Sequence, residues 1–195
     1  MNVVHLSRFI NIILLITINH ILLADGEADN KKELAIHHFM QGEFLLNQGN
    51  YALAVLEFQD ALDIDPNAST IHISIADAYR RLGRSKHAED HLQIAIDLDP
   101  EELSSREMLG HLYLINRRYK EAEKEFLLLS NLDAYNDNYI VTLADLAKLQ
   151  EKWGLSVDYY LKAFDINPQN LKALENALQV CLGSELFKRA EGICL

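Results

Sequence analysis

The octet "ALDIDPNA" at 61–68 returns as "AIDLDPEE" at 95–102 and as "AFDINPQN" at 163–170. The copies start at Ala61, Ala95 and Ala163, so the second step is twice the first, one period and then two. A fixed period in the range of about 20–50 residues constrains a chain more than any single motif. Each period builds one small supersecondary unit that cannot bury its apolar face alone, and stacking the units makes one continuous core.

Counting the octet's proline as place 32 sets repeats at 35–68, 69–102, 103–136, 137–170 and an incomplete 171–195. Place 20 is then Ala54, Ala88, Ala122, Ser156 and Ala190, and place 27 is Ala61, Ala95, Leu129 and Ala163. Place 8 holds Gly42, Ala76, Gly110 and Ala144, place 24 holds Phe58, Leu92, Phe126 and Tyr160, and place 17 holds Tyr51, Tyr119, Trp153 and Phe187. Apolar residues recur at i, i+3, i+4 and i+7 twice per period, which predicts two helices with one buried face each. The polar breaks "NQGN", "RLGR", "NRR" and "EKWG" predict a tight turn between antiparallel helices. Small residues at places 8, 20 and 27 let the helices approach, and the aromatics at 17 and 24 are expected to fill the space beside them. Proline, which has no N–H to give a helix, is expected to stop the second helix. The predicted class is all-α, with no strand.

This period, with its Gly or Ala, aromatic, Ala and Pro places in register, resembles the tetratricopeptide repeat over 35–195. Departures are Ala134 where proline would stand, a place 4 that is never tryptophan, and a last repeat that stops at Leu195 within its second helix. The resemblance implies a right-handed α-solenoid whose first helices line a concave groove and offer places 2, 5, 9, 12 and 13 to a protein or peptide. The candidate partner-binding residues it implies are Phe39, Glu43, Asn47, Ile73, Asp77, Arg80, Arg81, Glu107, His111, Val141, Asp145 and Lys148. The row at place 9 is acidic with one histidine, beside apolar Phe39, Ile73 and Val141. That pattern predicts a partner segment with basic residues flanked by apolar ones, oriented by Arg80, Arg81 and Lys148. Relatives that clamp a chaperone's terminal carboxylates carry Lys and Asn at places 5 and 9, where this chain has Phe39 and Glu43. Relatives attached to a sugar transferase carry an asparagine ladder at place 6. Here that place is Met40, Ser74, Met108, Thr142 and a single Asn176.

Charge and chemistry exclude other classes. A net charge of −11 argues against a nucleic-acid backbone or an anionic lipid surface as the main partner. No nucleophile motif, metal-binding signature or phosphate loop is present, so no enzyme activity, cofactor or metal is expected. His87 and His91 sit four apart, but at outward places, and adjacent His37 and His38 diverge by about 100° on a helix. Residues 1–24, with one arginine and an apolar run from Phe9 to Leu23, have the layout of a secretory signal peptide, or alternatively of an uncleaved anchor. A linker at 25–34 follows, and the mature chain is expected outside the cytoplasm, periplasmic or secreted. Cys181 and Cys194 fall on helices expected to pack together, leaving a disulfide or two buried thiols as alternatives. The expected function is a non-enzymatic scaffold. The alternative is the docking arm of a longer enzyme or assembly component whose active part lies beyond residue 195.

Overall fold

The computed structural model describes residues 30–184, with Gly192 standing alone beyond them. The expected leader and the Cys194 partner of the disulfide reading lie outside the described residues. Every regular element among the described residues is helical. Helix α1 spans 30–47, followed by α2 (Tyr51–Ile64), α3 (Ser69–Arg81), α4 (Ser85–Leu98), α5 (Leu103–Ile115), α6 (Tyr119–Leu132), α7 (Asp137–Leu149), α8 (Trp153–Ile166) and α9 (Leu171–Gly183). The class is an all-α solenoid of helix pairs. The chain divides into two compact units, Met1–Leu82 with α1–α3 and Gly83–Leu195 with α4–α9.

In the N-terminal unit α1 lies directly on a ring of α2. A Cβ on Gly42 would come within 2.4 Å of Phe58 Cε1, and the Phe39 ring stacks at a tilt 5.8 Å from Phe58. Ala54, Phe58 and Ala61 are fully buried. The C-terminal unit repeats this arrangement between α5 and α6, where a Cβ on Gly110 would lie 2.9 Å from Phe126 Cε2. Between α7 and α8 the small residue is a serine, whose polarity is absorbed because Ser156 Oγ donates to the Ala144 carbonyl at 2.8 Å. Place 17 departs from expectation. Trp153 is 40% exposed and Tyr51 and Tyr119 are only half-buried, whereas Phe58, Leu92, Phe126 and Tyr160 at place 24 are at most 1% exposed.

The turn inside each of the first four repeats has one left-handed residue, at place 15. Gly49 (φ 81°) and Gly83 (φ 70°) supply it in two repeats, and Arg117 (φ 57°) and Glu151 (φ 58°) occupy it in the other two. A side chain there costs about 1–2 kcal/mol, because Cβ crowds the following carbonyl. Arg117→Gly should therefore raise the unfolding midpoint. Gly83→Ala, where an added Cβ meets no neighbouring atom, should lower it by backbone strain alone. Urea titrations followed by helix ellipticity read both, and equal signs would refute the assignment.

Proline is not what stops the second helix. Place 31, immediately after α2, α4, α6 and α8, is Asp65, Asp99, Asp133 or Asn167, each outside the helical region (φ −125° to −137°, ψ 84° to 89°) with its N–H on the place-27 carbonyl. Asp133 and Asn167 then turn the chain by accepting the N–H of Tyr135 (3.3 Å) and Gln169 (3.2 Å) through their side chains. α6 consequently ends in register although Ala134 replaces the proline. The next helices are capped in the same way: Glu102 accepts from the Ser104 and Ser105 N–H groups at 2.9 Å each, and Asn136 accepts from Asn138 N–H at 3.2 Å.

Candidate functional site

The sequence places its candidates on the first helix of each pair, and the structure divides them between the two units. In the N-terminal unit, places 2 and 5 of α1 and place 2 of α3 open onto a groove of about 440 Å³. Ile36, Phe39 and Thr70 line it, with Lys31, Lys32 and Asp65 at its border. Ile36 is 49% exposed and Phe39 half-buried, so this apolar area faces solvent. Further along the same helices Ile73 is half-buried and Asn47 exposed.

The polar candidates here are not an open acidic row. Glu43 accepts from Ser74 Oγ at 2.6 Å, a bond that ties α1 to α3. Asp77 accepts from Arg80 Nε at 3.1 Å and Arg81 Nε at 2.7 Å. Partial burial pushes the Asp77 pKa up, but the hydrogen bonds and charges of Arg81 and Arg80 outweigh it and hold the carboxyl below its ordinary value. Arg81 also lies over the Tyr51 ring, 5.6 Å from its centroid. The two arginines expected to steer a ligand are thus engaged by their own helix.

The C-terminal unit shows the same self-neutralisation. Lys148 Nζ is 3.4 Å from Asp145 Oδ1, and the Tyr160 hydroxyl also donates to Asp145. Burial first, and then the Asp145 carboxylate, push the Tyr160 phenol above its ordinary range. Glu107 accepts from the Tyr139 hydroxyl at 3.4 Å and stands 3.9 Å from His111 Nε2, whose ring meets Phe126 edge-on at 5.2 Å. Val141 is half-buried. A smaller groove, about 250 Å³, opens between Lys148, Trp153 and the α9 residues Gln179, Val180 and Gly183.

Sequence reasoning missed one polar ladder in this unit. Arg118 Nη1 reaches Glu89 Oε2 at 2.8 Å and Lys152 Nζ reaches Glu123 Oε2 at 3.4 Å, place 16 of one repeat meeting place 21 of the repeat before. Arg118 also covers the Tyr113 ring at 4.3 Å. Burial, with the Glu89 charge beside it, pushes the Tyr113 phenol up to about 12. The signal was present as opposite charges at one fixed separation, Glu89 to Arg118 and Glu123 to Lys152. It becomes readable only once the repeat stacking brings those places together.

His72 gives the N-terminal unit an acid sensitivity. Its ring is buried, which lowers its pKa below the ordinary 6.5, against the opposing effect of a hydrogen bond to the Pro66 backbone. With the folded value below the unfolded one, the histidine's contribution is complete above the unfolded pKa and declines as pH falls through the folded one. Urea midpoints are therefore expected to fall between pH 7 and pH 5, with a smaller fall in His72→Phe. Asp77 and Glu102, whose pKa values are lowered, weaken the fold only in a more acidic window. An unchanged slope in the variant would remove His72 from this account.

The sequence profile described as tetratricopeptide repeat matches residues 23–69 and 73–137, more than half of the chain. The chain is 36% identical over 91 residues to a protein O-mannosyl-transferase of Caenorhabditis elegans, covering 47% of this chain and 13% of that protein. It is 27% identical over 159 residues to DnaJ homolog subfamily C member 3 of Rattus norvegicus, covering 80% of this chain and 31% of that protein. The chain thus spans less than a third of the length of either relative. Its fold superposes on that of the MamA protein with a TM-score of 0.72 at 17% identity, covering 83% of this chain and 88% of the other. YrrB, described as a TPR protein with an unusual peptide-binding site, superposes at 0.67 with 17% identity and 87% coverage of both chains. With a matching profile and helix pairs that recur at the period written in the sequence, the chain belongs to the tetratricopeptide repeat family.

Proposed function

We propose that the chain is a non-enzymatic interaction scaffold whose N-terminal unit holds a partner's peptide segment by an apolar anchor. The observation that carries this reading is the 440 Å³ groove, in which Ile36 and Phe39 present apolar area bordered by charged groups. YrrB, of the same fold, is described as having a peptide-binding site. Magnitudes rank the contributions. Burying an aliphatic or aromatic anchor is worth about 1.5–3 kcal/mol, whereas an exposed ion pair gives about 0–1 kcal/mol. Asp77 and Asp145 are already paired, so basic residues in the partner act through the chain's net charge of −11. That field speeds encounter more than it holds the complex. The partner segment presents one or more apolar residues to the groove, with its basic residues directed away from Lys31 and Lys32.

Display selection of peptides on the purified chain tests this. Recovered sequences should share an apolar residue with a basic neighbour, and their association rates should fall with salt while dissociation rates stay nearly constant. Enrichment of purely polar or acidic peptides would refute it. We place the mature chain outside the cytoplasm on the strength of the leader pattern at residues 1–24, with an anchored form as the alternative. A second reading, the docking arm of a longer protein, is favoured by the small share of its curated relatives that the chain spans.

A further inference from the structure

We propose that the N-terminal unit carries a binding site for a first-row divalent cation, with Zn²⁺ the best matched, formed by His38 of α1 with Glu57 and Asp60 of α2. His38 Nδ1 lies 2.8 Å from Glu57 Oε2 and 4.0 Å from Asp60 Oδ2, and the three donor atoms all fall within 4.8 Å of one another. Zinc bonds of about 2.0–2.2 Å in tetrahedral geometry set neighbouring donors roughly 3.3–3.6 Å apart, so the distances here lie on both sides of the requirement. The 2.8 Å separation is a His38–Glu57 hydrogen bond that the ion would replace, the two groups parting by about half an ångström, and the longer gap is closed by the least constrained ligand. Asp60 is 59% exposed and can rotate, while His38 and Glu57 are 25% and 30% exposed, held where α1 meets α2.

Chemistry selects the ion. One imidazole nitrogen with two carboxylate oxygens suits Zn²⁺ or Co²⁺, whereas Ca²⁺ and Mg²⁺ prefer all-oxygen sites. Two carboxylates match a divalent charge. Three protein ligands leave one position for water or for a donor from a partner.

The repeat register makes the site specific to the first repeat. His38, Glu57 and Asp60 occupy places 4, 23 and 26. The third repeat has Arg106 and Glu125 at places 4 and 23, with Nη1 3.5 Å from Oε2, so there the chain supplies its own cation. The first repeat replaces that guanidinium with an imidazole and adds a second carboxylate. Place 26 is Ile94, Leu128 and Lys162 in the following repeats, none of them a donor set of this kind. The adjacent His37 does not join, its ring lying edge-on 5.9 Å from that of His38.

Titrating the purified chain with Zn²⁺ by calorimetry, and with Co²⁺ by visible absorption, tests the proposal. One ion per chain is expected, with a Co²⁺ band of low-coordinate intensity. His38→Ala and Glu57→Gln should each weaken binding by about tenfold or more, while His37→Ala and the double variant His87→Ala/His91→Ala should not change it. If His38→Ala loses helicity, Glu57→Gln and Asp60→Asn, which keep shape and remove charge, decide the matter. Absence of saturable binding, affinity unchanged by the Glu57 and Asp60 variants, or affinity lost in the His87/His91 variant would each overturn the site.

Discussion

Replacing Phe126 with alanine is expected to lower the unfolding free energy by about 3–5 kcal/mol, the loss typical of a buried aromatic ring. The ring is 1% exposed and meets two other helices: Gly110 and His111 of α5, the latter at 5.2 Å, and Tyr139 of α7 at 6.3 Å. The backbone of α5 already rests on the ring, so the space left by alanine closes only if a whole helix shifts. Gly110→Ala strains the same contact from the other side, since its Cβ would meet ring carbon at 2.9 Å. The second repeat shows a sequence solution, with Ala76 at place 8 and Leu92 at place 24. The double variant Gly110→Ala/Phe126→Leu should thus be more stable than the sum of its single changes implies. Additivity in that cycle, measured by urea unfolding, would mean that places 8 and 24 are not a coupled pair.

Ile36→Asp should weaken capture of a selected peptide by roughly thirtyfold or more and leave the fold intact. The side chain is 49% exposed, so folding loses little when it changes. Binding loses the apolar area that the ligand would cover and must also desolvate a carboxylate, together about 2–3 kcal/mol. Thr70→Glu, on the α3 side of the groove, should act in the same direction. Unchanged affinity in both variants with helicity preserved would move the anchor elsewhere.

Much of the architecture was legible because repetition averages out local ambiguity. The place-8 glycine and place-24 aromatic keep one separation, in Gly42 and Phe58 and again in Gly110 and Phe126. A contact written twice in one register is hard to misread. The helix stop was misattributed because proline draws attention, whereas the Asp or Asn before it takes nearly the same backbone conformation in the first four repeats, Asp133 without any proline. The pairing within the acidic row went unread for a different reason. Asp77 with Arg80 and Arg81, and Asp145 with Lys148, stand three or four positions apart on one helix, a spacing that pairs charges before any ligand arrives. Glu43 with Ser74 and Asp145 with Tyr160 depend on how helices pack, and no single-helix pattern carries them. The groove was half legible: Ile36, Phe39 and Thr70 stood at expected places, but Lys31 and Lys32 precede the repeat register.

Chemical-shift mapping with an isotope-labelled chain and a peptide from the display selection tests the central claim most directly. The largest perturbations are expected at the Ile36 and Ile71 methyl groups and at the Phe39 and Thr70 amides, around the N-terminal groove. Perturbations centred instead on Ile94 and Leu98 of α4 and Leu128 and Leu132 of α6, which are also exposed apolar residues, would contradict it.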